Sequence, residues 1–575
     1  MKKHIHSFAV IMICVMALGF ISCNKENEKP LPPTIALDVT DAIYSVKVGK
    51  TLTIEPNYTN AENAVFAWKL DGTIISTSPV LEYTPLTLGD RYLSLSVIND
   101  AGEAYIELMI QVVNLLPPVI SLALPEEGYT ILKSGELALT PSVSNTDEAT
   151  YKWLVNGVQK ATTKDFTFTS ETTGIFNLEM IASNPDGEDR LTFNVNVCLP
   201  EDLPFKWGIE SSEYNVAQGR DIRIKIWDIE NDFDGEYTWT LDGDEVQKGR
   251  ETIYIFKTSS STTVGEHTLI CTMKNPYTTV SQTFKVNVCP PEGTYKRTAS
   301  AASSSSYDKV YEFTAAPGQF INENYIATTA QQAADYAHSR MQADAHVSLG
   351  GWGGYLVVGF DHSIENDGSY NIQILGNSFE GSSEPGVVYV MQDENGDGLP
   401  NDTWYELKGS VYGTPEEIRD YAVTYYRPKS PGMPVQWIDN MGGNGSVDYL
   451  ASYHRQEYYY PAWIAEDSYT LRGTLLPPVA SETSPGYWFN SDLGWGYADN
   501  FSPIDRLTDD DNYNANVNAN HFKISDAVTH DGRPANLKYI DFVKVMTGTN
   551  CKAGWLGENS TEVFGFNDFN MIKNK

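Results

Sequence analysis

Cysteine is scarce, with six in 575 residues, so a small disulfide-stapled scaffold is excluded. Cys14 falls in the amino-terminal apolar run. Cys198, Cys271, Cys289 and Cys551 remain beyond residue 30, and they could pair or stay as buried thiols. Cys271 and Cys289 fall in one repeat and are the first pair to test. Histidine is equally thin, at nine. His338, His346 and His362 come nearest to a group, but no close pair among them shares a helix face or strand, so the spacing does not write a zinc centre. Positive charge is short as well: 40 Lys plus Arg stand against 75 Asp plus Glu, a net charge of −35. Such a surface repels phosphate, which excludes nucleic acid as a partner. His-Glu-x-x-His, Gly-x-Ser-x-Gly and a phosphate-cradling glycine loop are all missing. A glycosidase pair cannot be picked out among so many carboxylates, so a glycan-active hydrolase stays open only as a third reading behind binding and adhesion.

Aromatic residues are plentiful, at 12% with 34 Tyr and 12 Trp, beside 44 Gly and 29 Pro. That mixture points to an all-β, turn-rich chain of several domains. At the amino terminus Lys2 and Lys3 precede the apolar run Phe8 to Ile21, which is too short to span a bilayer. Phe20-Ile21-Ser22-Cys23 then resembles a bacterial lipobox, with Phe20 in place of the usual leucine. Residues 1–22 read as a lipoprotein signal peptide and Cys23 as the lipidation site; an ordinary secretory signal with an incidental cysteine is the rival. Residues 23–33, charged and broken by Pro30, Pro32 and Pro33, form a tether. The acidic residues after Cys23 resemble the start of Bacteroidetes lipoproteins, which implies an outer-membrane, lipid-anchored protein facing the cell exterior.

The middle of the chain repeats itself at a spacing of about 85 residues. Trp68-Lys69-Leu70-Asp71-Gly72 recurs as Trp153-Leu154-Val155-Asn156-Gly157 and as Trp239-Thr240-Leu241-Asp242-Gly243. Each is followed by a second block, opening at Asn99, Asn184 and Asn275; the third lacks the glycine of the first two. Period-two alternation and regular turns predict β-sandwiches at 34–115, 116–199 and 200–290, each tryptophan a core residue beside a type I′ hairpin. The blocks resemble PKD-type immunoglobulin-like domains of bacterial surface proteins, which implies stacked spacers without chemistry of their own. The Ala/Ser run within 291–306 reads as a linker.

Residues 307–575 differ in composition and carry the expected ligand-binding function. One helix is predicted over 327–342, among strands at 355–360, 370–375, 387–391, 404–407, 421–425, 522–524 and 539–545; together they suggest a larger jelly-roll-like β-sandwich. Between two of these strands lies Asp393-Glu394-Asn395-Gly396-Asp397-Gly398-Leu399-Pro400-Asn401-Asp402. Asp393, Asn395 and Asp397 take the first, third and fifth places of a calcium loop, the Leu399 carbonyl the seventh, and Asp402 or Glu406 completes the shell. Trp404 stands where an EF-hand needs glutamate, so the nearer analogue is an extracellular calcium module binding at about 10⁻⁴–10⁻³ M, a structural role. Aromatics beside glycine in the following loops nominate Trp437, Tyr459, Trp463, Trp488 and Trp495 as a face for a sugar or a macrocycle.

Taken together, Phe313 to Phe320, Leu349 to Gly354, Gly376 to Phe379, Ser383 to Gly386, the acidic loop and Ile540 to Val545 resemble a family of Bacteroidetes cell-surface lipoproteins with PKD-like repeats. Some relatives are linked to cobalamin uptake. The resemblance implies capture of a nutrient, a corrinoid or a glycan, for handover to a TonB-dependent transporter. The alternative is an adhesive or structural protein that binds glycoprotein.

Overall fold

The computed structural model describes residues 32–37, 39, 42–70, 72–122, 124, 125, 128–450, 453–484, 487–507 and 518–573. The lipidation site Cys23, the signal segment and most of the tether lie outside these residues. Among the described residues no helix is long and apolar enough to cross a membrane. The chain forms two compact units, the division falling within the second repeat. The first holds the first repeat with residues 139–166 and 177–193; the second holds 125–138, 167–176 and everything from Asn194 onward.

Each repeat is built on a five-stranded sheet of the same order. In the first it runs Ile43–Lys47, Gly102–Val113, Gly89–Asn99, Val65–Leu70, Thr73–Ser76. In the third it runs Glu213–Ala217, Thr279–Cys289, Gly265–Lys274, Glu236–Leu241, Asp244–Gly249. Trp68, Trp153 and Trp239 are fully buried. Each indole N–H donates to a carbonyl of the following loop: Ser78 at 3.0 Å, Lys164 at 3.1 Å and Glu251 at 3.2 Å. That bond lets a polar ring sit in an apolar core without an orphaned donor. The turns after the second and third tryptophans hold positive φ at both central residues, 48° and 77° at Asn156 and Gly157, 52° and 95° at Asp242 and Gly243. These are the type I′ geometry that the Asn-Gly and Asp-Gly pairs favour.

The second shared block has one physical meaning in all three copies. The Asn99, Asn184 and Asn275 side chains accept backbone N–H bonds from residues two or three ahead. Their amides donate across to the carbonyls of Asn60, Asn145 and Asp232. The asparagine staples two loops together, so Asn275-Pro276-Tyr277 keeps the device although the glycine is gone.

The terminal domain is layered. Its six-stranded sheet runs Lys309–Thr314, Tyr355–Glu365, Tyr539–Thr547, Gly386–Met391, Trp404–Leu407, Ala527–Val528. One face packs Leu356, Val358, Val388, Val390, Val543 and Val545 into a core shared with the helix Ala330–Gln342 and the sheet through Ile372–Gly376. On the other face, Val387 and Met546 join a second core with Val423, Tyr425, Val435 and Leu471 of a four-stranded sheet. Burial on both faces is why these strands read as continuous apolar runs. The segment Leu349 to Gly354 seats Trp352 edge-on to Tyr421, centroids 4.6 Å apart. A Cβ at Gly354 would stand 1.9 Å from the Leu349 carbonyl oxygen, so only glycine passes there.

One expectation changes and one open choice closes. The stretch read as a linker, 291–306, is fastened down: Glu292 accepts from Arg220, Gln392 and the Lys538 amide, and Arg297 pairs with Asp541. Cys198, Cys271, Cys289 and Cys551 are free thiols rather than disulfides. Cys271 faces Gln282 across the sheet, which leaves Cys289 well along the neighbouring strand.

Candidate functional site

Strand alternation decides which side chains leave the apolar cores. Lys544 stands directly opposite Tyr389, and Tyr389 directly opposite Glu406. The three form a polar row across the sheet, on the face whose next register positions carry Val387 and Met546. The four-stranded sheet covers part of that face, and the third repeat meets the rest. Between them lies a cleft of about 400 Å³. Its terminal-domain wall carries the polar row with Trp404, Arg419 and Thr474; the third repeat supplies Glu210, Tyr214, Arg223 and Trp227.

The third repeat is therefore a wall of the cleft and not only a spacer. Asp420 takes a bidentate bond from Arg223 and a second cation, Lys225, at 2.8 Å. Burial would raise the Asp420 pKa, but these two partners outweigh it and hold the carboxyl below its ordinary range. Arg472 reaches back to Asp228, and Arg220 donates to the Ala535 carbonyl at 2.7 Å. The Ala217 amide donates to Glu394 at 2.8 Å.

Inside the cleft the electrostatics are uneven. The Lys544 ammonium lies 4.7 Å from the centroids of both Tyr389 and Trp404 and 5.7 Å from that of Tyr355. Desolvation lowers its pKa. Glu406 accepts from the Thr474 hydroxyl at 2.6 Å, and burial pushes its carboxyl up to about 7. Burial thus favours the neutral form of this acid, and the charges of Arg419 and Lys544 offset it in part.

The side chains of the acidic loop are turned onto the loop's own backbone, and one of the six expected ligands stands apart from it. Asp393 accepts the Gly396 and Gly398 amides at 2.8 and 3.1 Å, and Asn395 accepts that of Asp397. Asp397 accepts the Leu399 amide and the Asn401 side chain, and Asp402 accepts the Glu394 amide. Glu406 belongs to the next strand and bonds Thr474 in the cleft, so it is corrected out of the loop set. Among the described residues no group of three or more His, Cys, Asp or Glu is disposed to hold a metal ion. Two buried oxygens nearby, Glu394 Oε1 and Asp402 Oδ1, lack a partner. Desolvation raises these carboxyls to about 7 and about 8.

The five aromatic candidates do not share a face. Tyr459 is buried in the second core, its hydroxyl donating to the His454 carbonyl. Trp437 packs against the same core. Trp463 packs on the first, 5.5 Å from Phe313. Trp488 sits on the hairpin 480–490 and packs against Gly554, while Trp495 lines a separate hollow with Tyr370 and His521. The histidines are equally dispersed: His362 is enclosed between Asp361 and Asp568, and His338 lies edge-on to Tyr307. The residues that do converge, Trp227, Tyr389, Trp404 and Lys544, went unmarked in the sequence. One signal pointed there: a lysine inside the apolar run Ile540 to Val545.

A PKD-like domain model matches residues 32–99 and 117–184. No curated protein matches the sequence. Among solved structures, the immunoglobulin domains 1–5 of Sidekick-1 are similar at 16% identity, with 45% of this chain and 59% of that one covered and a TM-score of 0.21. The fibronectin(III)-like modules of Clostridium thermocellum CbhA are similar at 14% identity, with 32% of this chain and 100% of that one covered and a TM-score of 0.18. The amino-terminal eight immunoglobulin domains of Down Syndrome Cell Adhesion Molecule are similar at 15% identity, covering 49% and 44%, with a TM-score of 0.14. Scores this low carry no functional argument.

Proposed function

We propose that this chain, which carries PKD-like domains, is a surface-anchored protein that captures a glycan non-enzymatically in the cleft between the third repeat and the terminal domain. The supporting observation is the row Lys544, Tyr389 and Glu406 with Trp404 on one wall, and Trp227 and Tyr214 on the other. Aromatic rings with a few fixed polar groups are what a small-ligand site is made of. A cleft of about 400 Å³ is near the lower end of the pocket range and suits one or two sugar rings better than a whole corrinoid. Lipidation at Cys23, an outer-membrane location and handover to a TonB-dependent transporter belong to the same proposal.

Calorimetric titration of the full chain against a glycan panel and a corrinoid tests it. A sugar is expected to bind, and Trp404→Ala and Trp227→Ala are each expected to weaken it about tenfold, about 1.4 kcal/mol. Tyr487→Ala, at an exposed ring that does not line the cleft, should change nothing. Corrinoid binding indifferent to Trp404→Ala would move the site elsewhere, and adhesion of whole cells without any small ligand would favour a protein partner. A second reading, hydrolysis, is favoured by one observation: an acid held near pKa 7 at Glu406. Turnover of a bound glycan that disappears in Glu406→Gln would establish it.

Calcium stiffening the acidic loop through Asp393, Asn395 and Asp397 completes the reading, with the partnerless oxygens of Glu394 and Asp402 in support. At a concentration near 100 times Kd, calcium should add about 2.7 kcal/mol of stability. Differential scanning should show a raised Tm that EDTA reverses and Asp397→Ala abolishes. An unchanged Tm would make the loop a metal-free turn.

A further inference from the structure

We propose that the ligand of this cleft carries an anionic group, a carboxylate or a sulfate on a sugar, and that Lys544 is the residue that receives it. The inference rests on the cleft being the binding site and goes on to name its chemistry. The argument turns on how the cations around the cleft are occupied. Arg223 is spent on Asp420, and Arg472 on Asp228. Lys544 has no ion pair or hydrogen bond among the described residues and touches only the rings of Tyr355, Tyr389 and Trp404.

An ammonium has three N–H donors and no acceptor. Ring faces attract its charge but leave all three donors without a lone pair. In water this is harmless; in a half-buried cleft it costs free energy unless something supplies oxygens. The protein had acceptors to offer. Glu406 is opposite Tyr389 in the same row, yet it is turned onto Thr474. Glu210 and Glu312 also face Lys544 electrostatically, and neither comes within ion-pair distance. Arg419, on the same wall, is likewise without a carboxylate partner among the described residues and donates only to the Tyr412 hydroxyl at 3.1 Å. Two unspent cations on one wall flank an acid that gives up its charge readily. An incoming anion thus meets Lys544 and Arg419, while Glu406 can take a proton and become a hydrogen-bond donor to it. The aromatic box fixes where the ammonium stands, so the anion's place is set before it arrives.

The test uses the full-length chain and three matched ligands: a uronic-acid oligosaccharide, the same oligosaccharide with its carboxyls reduced to alcohols, and a sulfated counterpart. At least one acidic form is expected to bind about tenfold or more tighter than the neutral one, with affinity falling as salt rises. Lys544→Met keeps the length that fills the aromatic box and should erase the acidic preference while leaving neutral binding in place. Lys544→Arg should retain part of it. An unchanged Tm in both variants separates loss of the contact from loss of the fold. Whichever acidic ligand binds identifies the group as carboxylate or sulfate. Equal binding of neutral and acidic forms, unaffected by Lys544→Met, overturns the anion assignment and leaves the cleft standing. Binding of none of the three overturns both.

Discussion

Trp239→Ala is expected to destabilise the third repeat by about 3–5 kcal/mol and to abolish ligand binding with it. The ring is wholly buried, stacks on Tyr254 and Phe284 at centroid distances of 5.6 and 6.0 Å, and donates to the Glu251 carbonyl. Truncation leaves a cavity and an unpaired carbonyl at once. Tyr214 packs against that same core and Trp227 follows the core residue Ile226 on the strand Asp221–Glu230, so the cleft loses a wall when the core opens. Trp68→Ala offers the control. Its ring is as deeply buried and bonded in the same way, and its loss should cost a similar amount. The first repeat contributes nothing to the cleft, however, so binding should survive. Denaturant titration alongside calorimetry separates the two; equal loss of binding in both variants would contradict the placement of the site.

Raising the pH from about 5 to 8 is expected to lower the melting temperature of the terminal domain by about 10 °C or more. Burial lifts Glu394, Glu406, Glu558 and Asp499 to about 7, and Asp402 and Glu562 to about 8. In the unfolded chain these groups titrate near 4, so between about pH 4 and 8 the folded state holds more protons. Stability then falls as pH rises through that window, at about 1.4 kcal/mol per pKa unit. Each kcal/mol moves Tm by about 2–4 °C in a domain of this size. Asp420, Asp367 and Asp531 have depressed pKa values and act the opposite way, but their contribution is lost only as pH falls below about 4. The optimum should therefore lie near pH 4. Scanning calorimetry across this range would show it, and Glu558→Gln should flatten the slope. A Tm that climbs toward pH 8 would mean that these carboxyls are charged in the folded protein.

The repeats were legible because their markers are local. A tryptophan before an Asn-Gly or Asp-Gly turn, and an asparagine stapling two loops, need only nearby chain to declare themselves. The class of the terminal domain was legible for a related reason: strands buried on two faces leave long apolar runs. The cleft was not. Lys544, Tyr389 and Glu406 come from three strands, and only the register of those strands makes them neighbours. Trp227 arrives from a repeat that resemblance cast as a spacer. Trp437, Tyr459, Trp463, Trp488 and Trp495 were chosen for crowding along the chain, which says little about where rings point. Tyr459 and Trp463, close in the chain, went to two different cores, on opposite faces of the central sheet.

In the first repeat, Ile43–Lys47 runs parallel to the end of Gly102–Val113, and in the third Glu213–Ala217 does the same beside Thr279–Cys289. With the two strands parallel, the start of the first and the end of the second point to opposite ends of the module. A pull applied along the module would then drag those two strands past each other lengthwise. All their rungs would have to rupture together, where an antiparallel pair pulled from one end would peel apart rung by rung. A module built this way should withstand a lengthwise pull that would unravel a simple hairpin.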